Sequence, residues 1–106
     1  MRRFVGASLA ALLALSVCGC GDGAIVVRGI VVEVQQPSFT HVTGFTLRTA
    51  DGRLLTFVIG DIPPGNGSFP PIHLRDHLAS ALPIDVRYVV EHDQNIALRL
   101  ADAPPP

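Results

Sequence analysis

A chain of 106 residues is long enough for one small domain and too short for two. Its eight cationic residues are all arginines, and with nine acidic residues they give a net charge of −1, so no strongly basic surface for a nucleic-acid backbone is indicated. Both cysteines precede residue 21, which excludes disulfides and cysteine metal ligands from the rest of the chain.

The first 19 residues are typical of a secretory signal peptide. Arg2 and Arg3 provide a positive start, and residues 4–17 form an apolar segment that glycines and an aspartate end soon afterwards. A segment of this length matches the apolar region of a signal peptide and is shorter than the roughly 20 residues that a membrane span needs. We therefore expect residues 1–19 to be removed.

The end of this segment, Val17-Cys18-Gly19-Cys20, resembles the lipobox of bacterial lipoproteins. The resemblance implies that Cys20 becomes the first residue, carries a diacylglyceryl thioether and often an additional acyl chain such as palmitate. Two or more acyl chains anchor a protein stably. The expected location is therefore the extracytoplasmic face of a bacterial membrane, in the cell envelope. Cleavage before Cys18 fits less well because Val17 is branched where a small residue is preferred. The alternatives are secretion without an anchor, or an uncleaved N-terminal segment with two free cysteines.

Residues 20–23 then form a short tether, residues 24–102 a single domain and residues 103–106 a proline-rich tail. The first predicted strand covers residues 24–36, which are rich in Val and Ile. Its alternation of side chains changes phase at Gly29, which predicts a bulge or a bend there.

Residues 44–49 and 53–59 predict a β-hairpin around Ala50-Asp51-Gly52, in which Gly52 supplies a positive φ. The apolar side chains expected to face inward are Phe45, Leu47, Leu55, Phe57 and Ile59.

Residues 60–71 contain four prolines and three glycines and are therefore predicted to form a long loop. Residues 72–82 are the only helix candidate, with Pro71 suited to the helix start and Pro83 to its end. The expected apolar stripe of the helix is Leu74, Leu78, Ala81 and Leu82. Two alternating strands follow, at residues 84–91 and 96–101, separated by a polar turn at residues 92–95. In the first of them Ile84, Val86, Tyr88 and Val90 share one face.

The predicted fold is therefore mostly β, in the order β-β-β-α-β-β. This order resembles the OB-fold, a five-stranded, partly open barrel. The chain is also similar to small bacterial lipoproteins of uncharacterised function that carry Phe-Thr-Leu-Arg-Thr and His-Leu-Arg-Asp-His segments, found here at residues 45–49 and 73–77. That similarity implies no particular activity.

His73 and His77 are four residues apart, so a helix places both imidazoles on one side, as in many metal sites. Zinc takes three or four ligands, and His41 is the candidate for the third. The alternative is structural: His73 caps the helix start, and His77 packs partly or bonds to a loop carbonyl.

The two longest predicted loops are residues 36–42 and 60–71. Four side chains on or beside them form a candidate ligand patch: Phe39, His41, Phe69 and His73. If the loops meet at one end of the barrel, the patch would suit a peptide, a glycan or a partner protein. In the alternative, both phenylalanines fill the ends of the barrel as core residues.

The sequence contains none of the common nucleophile, phosphate-loop or zinc-protease motifs, so no enzyme class and no cofactor is indicated. The function expected is that of a lipid-anchored, non-catalytic binding module whose partners are the membrane and an envelope protein or ligand. Metal binding by His73 and His77 is the first alternative. Binding of single-stranded nucleic acid, by analogy with other OB-folds, is weaker because residues 20–106 hold six arginines against nine acids.

Overall fold

The computed structural model describes residues 23–63, 65 and 67–104. These residues form five strands and one short helix: β1 Ile25–Gln35, β2 Gly44–Thr49, β3 Leu54–Ile59, α1 Leu74–Ser80, β4 Ile84–Glu91 and β5 Gln94–Asp102. A 3-10 turn, Pro71–His73, leads directly into α1. The predicted order β-β-β-α-β-β is confirmed. The expected signal peptide lies outside the described residues.

The strands form a ring in the order β1-β2-β3-β5-β4, and β4 pairs back with β1. All neighbours are antiparallel except β3 and β5, which run parallel because α1 and β4 intervene between them in the chain. The OB-like five-stranded barrel is therefore confirmed. The ring is closed where a partly open one was expected, because β1 is long enough to pair with β2 along one half and with β4 along the other.

Gly29 is the residue at which β1 has a partner on both sides, opposite Thr49 of β2 and Ile84 of β4. A Cβ atom at this position would lie 2.5 Å from the carbonyl oxygen of Arg48, so the close approach of the strands requires glycine. The expected bulge is not at Gly29: the register shifts between Val31 and Glu33.

The core fills the interior of the ring. The rings of Phe45 and Phe57, directly opposite each other on β2 and β3, stack with centroids 4.9 Å apart, and Tyr88 meets Phe57 edge-on at 5.0 Å. As predicted, Phe45, Leu47 and Phe57 are buried, and Leu55 and Ile59 pack against them. The other buried apolar residues are Val31, Val42, Leu74, Ile84, Val86, Ala97 and Leu100. Of the four residues predicted to share one face of β4, the first three are buried and Val90 is exposed near the end of the strand.

Helix α1 buries a narrower apolar face against the barrel than its sequence predicts. Leu74 is fully buried, but Leu78 and Leu82 are exposed, so the predicted apolar stripe is wrong beyond its first residue. The helix ends at Ser80 because Ala81 adopts a left-handed conformation, with φ of 59°. The second buried residue of the helix is His77.

Candidate functional site

The two histidines of the helical segment lie on its inner side. His73 ends the 3-10 turn and His77 lies one turn later, with ring centroids 5.0 Å apart at nearly right angles. The spacing of four residues thus brings the rings together as the sequence predicted. The His73 side chain makes no capping bond to the helix; its Nδ1 lies 2.9 Å from Oδ2 of Asp76.

His77 is held from both ends of its ring. Its side chain is 7% exposed, its Nδ1 lies 3.1 Å from the carbonyl oxygen of Leu82, and its Nε2 lies 2.7 Å from Oδ1 of Asp102. The left-handed Ala81 turns the chain back at the helix end, which presents the Leu82 carbonyl to the ring. The structural alternative for His77, a bond to a carbonyl beyond the helix, is therefore observed, but it involves only one of the two nitrogens.

Phe69 supports both histidines from the long loop before the helix. Its ring stacks on His77 with centroids 5.2 Å apart and meets His73 edge-on at 4.9 Å. The loop itself is fastened to β5, because the Phe69 amide donates to the carbonyl of Leu100 and the Leu100 amide donates to the Ser68 hydroxyl. The orientation of the His77 ring is thus fixed by stacking as well as by hydrogen bonding.

Asp102, the last residue of β5, is the group that the sequence analysis missed. It pairs with Ile84, and Ile84 follows the helix after three residues, so β5 returns its final carboxylate to the end of α1. The signal was present in the predicted hairpin of β4 and β5. Counting outward from the predicted turn at residues 92–95 pairs residue 84 with residue 103. The shorter turn and the register shift between Arg87 and Tyr88 make Asp102 the partner instead.

The candidate metal centre consists of His73, His77 and Asp102. One ligand atom from each residue lies within 4.8 Å of the others. His77 is buried, whereas the side chains of His73 and Asp102 are 39% and 71% exposed. The site thus combines one fixed imidazole with two groups that have room to rotate.

A pocket of ≈ 530 Å³ adjoins this centre between α1 and the end of β5. Its polar lining residues are the three residues of the candidate metal centre with Asp76 and Ser80, and its apolar lining residues are Leu82, Pro83, Ala103 and Pro104. The volume falls in the range of sites that hold small molecules.

The other predicted site residues are placed differently. His41 is exposed in the β1–β2 loop, and Asp102 takes the position beside the two histidines that was expected for it. Phe69 and His73 of the candidate ligand patch are in contact, but Phe39 is 94% exposed and makes no ring contact with them among the described residues. The expectation that both phenylalanines fill the barrel ends is correct for Phe69, which packs against the core, and wrong for Phe39.

The predicted lipidation residue, Cys20, lies outside the described residues, so its assignment remains a prediction. In the part of the chain that the structure describes, no helix has both the length and the apolar composition to cross a membrane. Comparison of the chain with protein-family models, with curated proteins and with solved structures gives no match, so its function has to be argued from the site itself.

Proposed function

We propose that this chain is a lipid-anchored extracytoplasmic binding module whose ligand is a divalent transition-metal ion, held by His73, His77 and Asp102. The observation that supports this most directly is the pair of contacts made by the His77 ring. A carbonyl oxygen only accepts hydrogen bonds, so Nδ1 carries the hydrogen that it donates to Leu82. In the neutral ring, Nε2 then directs a lone pair at the Asp102 carboxylate oxygen, 2.7 Å away.

Two lone pairs at this distance repel each other unless a cation lies between them. A proton shared by Nε2 and Oδ1 removes the repulsion at this hydrogen-bonding distance and makes a structural pair. A metal ion bound by both residues removes it once the two atoms move apart. An imidazole that ligates a metal commonly donates its other N–H to a carbonyl or carboxylate. His77 has such a partner in Leu82, and His73 has one in Asp76, whose carboxylate lies 2.9 Å from Nδ1.

The distances allow a metal ion to enter with small movements. Metal–ligand bonds of about 2.0–2.2 Å in a tetrahedral site place ligand atoms roughly 3.4 Å apart. His77 and Asp102 are closer than this, and no pair of ligand atoms in the cluster is more than 4.8 Å apart. Rotation of the exposed Asp102 and the half-buried His73 can therefore complete the site around a fixed His77.

The donor set selects a class of metal. Two imidazoles and one carboxylate suit Zn²⁺, Cu²⁺ and similar first-row ions, whereas Ca²⁺ and Mg²⁺ prefer ligand sets made of oxygen alone. We expect zinc to bind and calcium not to compete with it.

The test is calorimetric titration of the barrel domain, residues 21–106, with Zn²⁺. This segment contains every strand of the closed ring, from β1 to β5. We expect saturable binding with one ion per chain. His73→Ala and Asp102→Asn should each weaken the affinity at least tenfold, because each removes one of three ligands. Both side chains are partly exposed, so the variants are expected to fold.

His41→Ala is the matched control, since it removes an exposed histidine outside the cluster and should leave the affinity unchanged. The ring signals of His73 and His77 in NMR spectra should shift together with zinc. A His41 shift with loss of affinity in the control variant would make His41 a ligand, as the sequence-based set held, and an unchanged affinity in Asp102→Asn would exclude Asp102. Absence of binding to the wild-type domain at millimolar zinc would show that His77 and Asp102 form only an ion pair.

The membrane anchor has a separate test in the full-length chain expressed in a bacterium. Labelled palmitate should be incorporated by the wild type, and Cys20→Ala should abolish both the label and retention in the membrane fraction. Cys18→Ala is the matched control and should retain both. The reverse pattern would move the cleavage site to Cys18, and an unlabelled, soluble wild type would mean secretion without an anchor.

A further inference from the structure

The candidate metal centre opens into the pocket between α1 and the end of β5, because all three of its residues line that pocket. The Phe69 ring stacks on His77 and is not among the residues that line the pocket, so it covers the His77 ring from another side. A metal ion held by three side chains keeps at least one coordination position for an exchangeable ligand. With His73, His77 and Asp102 as the three ligands, that position would be reached from the pocket.

The charges around the pocket disfavour an anion as this ligand. Two carboxylates, Asp76 and Asp102, line the pocket, and no arginine is among the described residues that do so. With both carboxylates ionised, a bound divalent cation leaves the site without net positive charge. An incoming anion would then gain little electrostatic attraction. A neutral nitrogen donor does not depend on that attraction for its binding.

The shape of the pocket favours a ligand with an apolar body. Leu82, Pro83, Ala103 and Pro104 form an apolar wall beside the polar groups. The pocket volume, ≈ 530 Å³, is large enough for a bicyclic or two-ring molecule and much larger than a single water or imidazole requires. A flat ring bound to the metal would extend its substituent along this wall.

From these observations we propose that the metal-loaded domain binds a small, neutral nitrogen heterocycle of the imidazole class, with the nitrogen on the metal and an apolar substituent against Leu82 and Pro83. This inference rests on the metal site proposed above and names the class of ligand that the site receives. It makes the domain a carrier or sensor of the heterocycle–metal pair and requires no covalent chemistry.

The test uses Co²⁺ in the domain of residues 21–106, because the visible absorption of cobalt reports changes in its coordination. Imidazole, 4-phenylimidazole and acetate are titrated into the cobalt-loaded protein. We expect a saturable spectral change with both heterocycles, at least tenfold tighter binding of 4-phenylimidazole than of imidazole because its phenyl ring is buried, and weaker binding of acetate.

Leu82→Ser tests the apolar wall without touching a metal ligand, since His77 bonds to the main-chain carbonyl of residue 82. It should retain cobalt and imidazole affinity but lose most of the preference for 4-phenylimidazole. Leu54→Ser, which changes a similarly exposed leucine on β3, should retain that preference.

The outcomes separate this inference from the metal site on which it rests. If cobalt does not bind, the metal site itself is wrong. If cobalt binds and no heterocycle alters its spectrum, the metal site stands and the open position does not exist. Acetate binding more tightly than both heterocycles would overturn the assignment of a neutral ligand, and an unchanged preference in Leu82→Ser would overturn the assignment of the wall.

Discussion

Phe57 and Phe39 show how differently the same side chain is used in this domain. Phe57 is buried between Phe45 and Tyr88 at the centre of the barrel, with ring centroids about 5 Å from each. Phe39 is 94% exposed in the β1–β2 loop, where the Gln36 side chain donates a hydrogen bond to its main-chain carbonyl. Folding therefore buries the side chain of Phe57 and leaves that of Phe39 in contact with solvent.

We therefore expect Phe57→Ala to lower the free energy of unfolding by about 3–5 kcal/mol, the usual cost of removing a core phenylalanine. Phe39→Ala should change it by less than about 0.5 kcal/mol. Urea unfolding of residues 21–106 measures both. A comparable loss in the two variants would mean that Phe39 fills an end of the barrel in solution, as the sequence-based alternative held.

The candidate metal site shows at residue scale what local spacing reveals and what it does not. The pairing of His73 with His77 could be predicted because one helical turn fixes it. Asp102 is 25 residues beyond His77 and reaches it only through the pairing of β4 with β5. The burial of His77 has the same cause, since packing on the barrel and not helical periodicity decides which side of a two-turn helix is covered.

At the scale of elements, the ion pair of Arg28 and Asp85 joins β1 to β4. The two residues are directly opposite, and the guanidinium donates through Nε to Oδ1 at 2.7 Å and through its terminal nitrogen to Oδ2 at 3.1 Å. The hydrogen bonds from Arg28, aided by its charge and that of Arg99, lower the pKa of Asp85 below its ordinary value of 3.8. The pair therefore stabilises the junction only while Asp85 is ionised.

This contribution should depend on pH. Because the folded-state pKa of Asp85 is lowered, the stabilisation is fully present above pH 3.8 and is lost as the pH falls through the folded-state pKa. Arg28→Gln should lower the free energy of unfolding only slightly at neutral pH, because solvent weakens an exposed ion pair. The difference from the wild type should disappear in strong acid. Urea unfolding across the acidic range measures it.

Arg53→Gln provides a comparison for Arg28→Gln, because it removes the arginine of another ion pair, Arg53 with Asp51. The largest single cause that lowers the pKa of Asp51 is the hydrogen bond from the Thr49 hydroxyl, which this variant leaves in place, so part of the pH dependence that Asp51 gives should remain. If the cost of Arg28→Gln persists unchanged in strong acid, packing of the arginine stem on the strands and not its charge holds the junction.

At the scale of the whole molecule, the order of the elements could be predicted from the sequence pattern. Alternation in five segments and the Asp-Gly turn were sufficient for the element order, because each strand has one face toward the core. Closure of the ring was harder to predict. It depends on where β1 changes partners. The change of phase in the alternation indicated Gly29, but neither the close approach of the Arg48 carbonyl there nor the register shift beyond Val31 is encoded by hydrophobic alternation.

Gly29 is accordingly the position at which we expect the closed ring to be most sensitive to one added carbon. The Cβ of Gly29→Ala would lie 2.5 Å from the carbonyl oxygen of Arg48 and 2.8 Å from Cγ of Leu47, and that carbonyl belongs to a paired strand. Overpacking of this kind should lower the free energy of unfolding by about 1–3 kcal/mol. Amide hydrogen exchange should show the greatest loss of protection where β1 pairs with β2 and with β4.

Gly52→Ala separates this effect from the general cost of replacing glycine. Gly52 has φ of +88° in the β2–β3 turn and no neighbouring atom within 4 Å of an added Cβ, so its replacement strains the turn without crowding the barrel. A loss of about 1 kcal/mol is expected, without selective exposure of β1. If Gly29→Ala costs no more than Gly52→Ala and leaves the exchange pattern of β1 unaltered, then closure of the ring does not depend on the close approach at Gly29.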